Sequence, residues 1–156
     1  MTLLQIHVAL SLIGIATGLV AVVAMARGTY LRGWTAIFLA TTALTSVTGF
    51  PLPPFGLDPP RIVGCISLVA LALALTALYA FRLTSAWRSI YVVTATIGLY
   101  FNCFVAVAQT FMKIELFRAL APTQQEAPFA IAQVVVLALF IAFGWLGVRR
   151  FRPALA

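Results

Sequence analysis

Apolar residues along this chain neither alternate nor recur as a stripe. They come in long unbroken runs. Five runs stand at residues 3–26, 34–50, 62–81, 89–112 and 129–148, and none contains Asp, Glu, Lys or Arg. A helix needs about 20 apolar residues to cross the hydrocarbon core of a bilayer. Four of the runs reach that length. The run at 34–50 is shorter, about 25 Å of helix at ~1.5 Å per residue. It also carries Thr41, Thr42, Thr45, Ser46 and Thr48. Hydroxyls in lipid bond back to their own helix or across to a neighbour, so this run is expected to be enclosed by other helices. The pattern predicts an all-α integral membrane bundle. It has five transmembrane helices in one domain over residues 1–156.

The first run ends Ala24-Met25-Ala26, the small-x-small form of a signal cleavage site. No basic residue precedes Arg27, and the run exceeds the ~7–15 residues of a signal core, so a retained first helix is expected.

Composition agrees. Hydrophobic residues make up 63% of the 156, and charged residues only 8%. A soluble domain carries roughly 25% charge, so the solvent for this chain is a bilayer. The net charge of +7 would suggest nucleic acid in a soluble protein. Here the basic residues sit between the apolar runs, where they read as orientation signals, and no nucleic-acid partner is expected. Arg27, Arg32, Arg82, Arg88, Arg149, Arg150 and Arg152 fall on alternate connections and the tail, with no acid among them. The remaining connections hold Arg61, Lys113 and Arg118, balanced by Asp58, Glu115 and Glu126. The basic side is expected to be cytoplasmic, which places the N-terminus outside and the C-terminus inside.

Tyr30, Trp34, Tyr79, Trp87, Tyr91 and Trp145 fall near the cytoplasmic ends of their runs and predict half of an interfacial belt. Phe50, Phe55, Phe111, Phe117 and Phe129 would form the outer rim. Five of the eight prolines lie in residues 51–61, which predicts a stiff, non-helical outer loop. The second outer connection, 113–129, is expected to extend the fourth helix and rest Ile114, Leu116, Phe117 and Leu120 on the membrane surface. It then breaks at Ala121-Pro122. Thr123 and Glu126 have the spacing of a capping box, so the last helix is expected to start there.

The chemistry-bearing side chains are few. His7, Asn102, Gln109 and Gln133 all lie in apolar runs, toward the outer side by this orientation. With Ser11, Thr45, Ser46, Thr48, Cys65 and Ser67, they form one polar layer. His7, Ser11, Gly14 and Gly18 share a helix face by their spacing. Gly14 and Gly18 also make a GxxxG, which admits a neighbouring helix closely. Two uses of the layer stay open. Its groups can bond one another across helices, or His7, Asn102, Gln109 and Gln133 can line an outward polar pocket walled by Phe101, Phe104 and Phe111.

Other chemistries lack their parts. His7 is the only histidine, too few for a di-haem site, and the apolar runs hold no carboxylate for a metal or a proton relay. Cys65 and Cys103 have neither CxxC nor disulfide-framework spacing. A Ser/His/Asp triad is not available inside the membrane. No cofactor or metal is expected.

Several segments resemble an uncharacterised family of small bacterial multi-pass inner-membrane proteins. They are Thr45-Ser-Val-Thr-Gly49, Val63-Gly64 with Ile66-Ser67-Leu68, Ile90-Tyr91-Val-Val-Thr94, and Ala119-Leu-Ala-Pro-Thr123-Gln124 followed by Pro128-Phe129 and Gln133. The resemblance covers helices two to five and implies a bacterial cell inner membrane, with no mechanism attached. Nine arginines against one lysine suit a GC-rich bacterial genome. The expected function is a non-enzymatic structural or accessory bundle. Its partners would be membrane lipid, a second copy of the chain or a partner membrane subunit. The alternatives are binding of an apolar small molecule, a quinone or lipid, in the outward pocket, and a membrane oxidoreductase or permeation path.

Overall fold

The computed structural model of the chain describes residues 2–53 and 59–153. Phe55 and Asp58 lie outside them. The described residues are helices and short connections: α1 Leu3–Ala26, α2 Arg32–Gly49, α3 Pro59–Leu75, α4 Trp87–Lys113, α5 Glu115–Leu120 and α6 Ala127–Arg150. A π-helical turn, Thr76–Ala80, ends α3. The candidate spans Leu3–Ala26, Arg61–Ala80, Trp87–Lys113 and Ala127–Arg150 are long and apolar enough to cross a membrane, the signature of a helical membrane protein.

Large aliphatic side chains lie on the outside of the bundle as well as in its core. Val69, Ile131, Val134 and Ile141 are each more than 60% exposed. Thr35, Thr42, Ser67, Thr96 and Asn102 are buried. Lipid tails give aliphatic side chains no reason to hide, so the outside is as apolar as the core of Phe38, Leu39, Leu71, Tyr91 and Leu99, and small and polar groups share that interior.

Helix α4 is central and touches α1, α2, α3 and α6. Side-chain contacts fix the directions. His7 at the start of α1 meets Thr48 at the end of α2. Ser46 near the end of α2 approaches Ser67 early in α3, and Gln133 early in α6 reaches Phe104 in the second half of α4. Gly28, just past α1, lies against the Arg150 carbonyl. The five long helices therefore run alternately up and down. One end holds the turns at 27–31 and 81–86 and the tail, with the seven arginines named above.

Local rules account for the helix ends. Thr2 and Gln5 cap α1 reciprocally. At its other end the Gly28 N–H donates to the Met25 carbonyl and the Thr29 N–H to Ala24. These are the paired bonds of a Schellman turn, and Gly28 takes the required left-handed φ of 84°. Arg88 Nη1 donates to the carbonyls of Val148 at 3.0 Å and Phe151 at 2.6 Å, closing the end of α6 from α4. Phe151 is fully buried between Tyr30 and Tyr91.

Five expectations are corrected. Helix α2 is not enclosed: Trp34, Ile37, Leu44 and Val47 are exposed while Thr35, Phe38, Leu39, Thr42 and Thr45 face inward. Its hydroxyls need no enclosure, because Thr41, Thr45 and Thr48 donate to carbonyls four residues back at 2.7–2.8 Å. Tyr91 is a core residue at 0% exposure, not a belt residue. Pro59 and Pro60 begin α3, where a missing N–H costs nothing. Helix α4 does not continue past Lys113, since Ile114 is extended (φ −92°, ψ 117°) and α5 starts afresh. Finally, α6 begins at Ala127 with Glu126 as its N-cap. The Glu126 carboxylate turns back to accept from Thr123 Oγ1 at 2.8 Å and from the Thr123 and Gln125 N–H groups. Gln124 sits at φ 59°, so these residues form a turn and not a helical first turn.

Candidate functional site

The polar layer is built where α1 approaches α2 and α4. Glycine sets the distance. A Cβ on Gly14 would lie 3.0 Å from Thr42 Oγ1 and 3.2 Å from both Asn102 Nδ2 and Thr41 Oγ1. One turn further along, a Cβ on Gly18 would lie 2.6 Å from Leu99 Cδ1 and 2.7 Å from Phe38 Cδ2. The helices thus touch through bare backbone at both positions.

His7 is half-buried, and its Nδ1 lies 3.1 Å from Thr48 Oγ1. The Thr48 hydroxyl already donates to the Leu44 carbonyl at 2.8 Å. A His7 ring protonated on Nδ1 would satisfy this contact, since the single Thr48 proton is directed at Leu44. A Cβ on Gly49 would sit 3.3 Å from His7 Cε1, so glycine also makes room for the ring. Asn102 is buried at 8% exposure, and its Oδ1 accepts from Ser11 Oγ at 2.9 Å. Its Nδ2 and the Thr42 hydroxyl are buried without a hydrogen-bond partner, and both flank Gly14.

Gln133 Nε2 donates to the Phe104 carbonyl at 3.2 Å, while its Oε1 is buried and unpartnered. Gln109 is half-buried and makes no side-chain hydrogen bond among the described residues. The four groups therefore do not converge. His7 turns to α2, Asn102 to α1, and Gln133 to the backbone of α4. One aromatic wall is also committed: the Phe111 ring meets Phe117 at a tilt and Phe129 edge-on, with centroids at 5.3 and 5.4 Å.

Thr42 and Gly49 were not singled out from the sequence. Thr35 and Thr42 are seven apart and Thr42 and Thr45 three apart, which puts all three on one face. That spacing was available as a signal. A second amide, Gln124, donates to the Ala108 carbonyl at 2.8 Å, one turn from the Gln133 contact. Both cysteines are free thiols. Outside the membrane-spanning helices, the hydrogen bond from Thr123 holds the Glu126 carboxyl below its usual range, and burial raises the Tyr30 phenol.

Arranged this way, the layer joins helices and carries no set of acid, base and nucleophile. Among the described residues, no three His, Cys, Asp or Glu side chains come together as a metal site would require. Compared with known proteins, the chain matches no family model, no curated protein and no solved structure.

Proposed function

We propose that this chain is a non-enzymatic structural or accessory protein of a bacterial inner membrane. It crosses five times, with its N-terminus outside and its C-terminus in the cytoplasm. The gathering of seven arginines at one end supports that orientation. Helix α2 is the short crossing, and its antiparallel seat between α1 and α3 supports counting it. The family resemblance and the excess of arginine over lysine support the bacterial setting.

The observation that carries the functional reading is the Ser11–Asn102 hydrogen bond over Gly14. The most deeply buried amide of the layer is used to hold α1 on α4. An interhelical bond of this kind is worth about 0.6 kcal/mol, modest in energy but specific in register. The test is purification in mild detergent with cross-linking and mass spectrometry. A self-associated bundle or a constant partner subunit is expected. A strictly monomeric protein with no partner would remove the reading's support. Topology is tested by labelling single cysteines in a background without Cys65 and Cys103. Reagent added outside should reach Glu115→Cys and not Ser85→Cys.

One feature favours the small-molecule reading. Among the described residues Gln109 makes no side-chain hydrogen bond, and the buried Gln133 Oε1 has no partner, so both retain capacity for a polar headgroup. A quinone or lipid that is lost from Gln109→Leu protein, with the bundle still folded, would establish it.

A further inference from the structure

A groove of about 490 Å³ runs along the second half of α1, at the opposite end of the bundle from His7. Leu19, Val20, Val23 and Ala24 line it, Leu31 closes one side, and Arg27 and Thr29 stand at its mouth. Its shape follows from the Schellman turn. The Thr29 N–H bond to the Ala24 carbonyl turns the chain at the end of α1, so that Leu31 joins the lining. Ala24 is buried, whereas Leu19 and Val20 are 38% and 37% exposed. The result is an open aliphatic groove beside the helix, with a rise of about 12 Å along α1 from Leu19 to Arg27. It ends in a guanidinium and a hydroxyl.

We infer that this groove seats one anionic phospholipid. An acyl chain lies along Leu19, Val20, Val23 and Ala24, and the phosphate meets Arg27 and Thr29. Charge complementarity selects this occupant. The groove opens at the end that carries all seven arginines of the basic side and neither Glu115 nor Glu126. The guanidinium offers paired N–H donors that match phosphate oxygens, and Thr29 adds one more. A neutral lipid gains the apolar contacts but has no net charge for Arg27. A water-soluble phosphate meets Arg27 but leaves the groove unfilled. The site rests on the membrane reading above and on no assignment of enzyme or partner. It is distinct from the polar layer, since its lining includes none of His7, Asn102, Gln109 or Gln133.

The test uses the full chain in nanodiscs of phosphatidylglycerol and phosphatidylcholine with matched acyl chains, with retained lipid read by native mass spectrometry. Phosphatidylglycerol should be enriched about fivefold, the contribution of one basic residue near an anionic surface. Arg27→Gln should abolish the enrichment, and Val20→Phe, which fills the groove, should lower retention of both lipids. Excess glycerol phosphate should not displace the lipid. Equal retention of the two lipids by the wild type, enrichment that survives Arg27→Gln, or displacement by glycerol phosphate would each overturn the proposal. Carbonate extraction of the same variants separates the two readings. Protein that leaves the membrane overturns the membrane assignment, whereas inserted protein without lipid preference overturns only the lipid site.

Discussion

Gly14 and Gly18 stand one turn apart on the same face of α1, yet the helices meet them differently. Around Gly18 the neighbours are Phe38 and Leu99, both fully buried and purely apolar. Around Gly14 they are Thr41, Thr42 and Asn102. The first contact is a dense hydrocarbon fit at 2.6–2.7 Å from where a Cβ would stand. The second is looser, 3.0–3.2 Å, and ends in hydroxyl and amide groups. One contact supplies packing energy, and the other supplies register at little energy, because each interhelical hydrogen bond is small. Along α1 the polar groups of the layer are followed by the fully buried Phe38 and Leu99.

The comparison breaks most sharply at Gly18. Gly18→Ala forces a methyl to within 2.7 Å of two fully buried side chains. It should cost about 3 kcal/mol, the upper end of overpacking. Unfolding by SDS titration in mixed micelles measures it. Gly14→Ala presses on the looser polar groups and should cost about 1 kcal/mol in the same assay. Equal losses at the two glycines would erase the distinction.

Asn102→Leu removes the bond to Ser11 but also the unpartnered Nδ2, so it should destabilise by only about 0.6 kcal/mol. Its clearer effect is on register, read as a changed pattern of disulfide cross-links between cysteines placed on α1 and α4. The smallest effect concerns pH. The Glu126 carboxyl is held low by Thr123, so its contribution is complete above the ordinary carboxylate range. It fades as pH falls through the lowered value. A weak loss of stability in acid is expected, and Glu126→Gln should flatten it.

Much of this was legible in the chain. Unbroken apolar runs locate the long helices because a helix is the one local structure that satisfies its own backbone in lipid. The spacing of His7, Ser11, Gly14 and Gly18 marks the face on which α1 meets α2 and α4. What could not be read depends on three-dimensional partners. Threonines that bond within their own helix look the same in sequence as threonines that need a neighbour, so the exposed side of α2 was hidden. Tyr91 has the sequence position of a belt residue, and only the seating of Phe151 makes it core. At Thr123 to Glu126 the capping pattern is present, but Gln124 in the left-handed region turns it into an isolated loop.

The joint between Arg88 and the end of α6 also sets an order of construction. Among the described residues α6 buries only Phe140 and Gly147, although it packs on both α4 and α1. Its far end is fastened by one guanidinium on α4 and by the Phe151 ring. Synthesis proceeds from the N-terminus, so that fastening completes only after the whole last helix has emerged. A chain halted at Val148 would keep the contacts of Gln133 with Phe104 and of Phe140 with Tyr100, but would lack the Phe151 ring and carbonyl that Arg88, Tyr30 and Tyr91 engage.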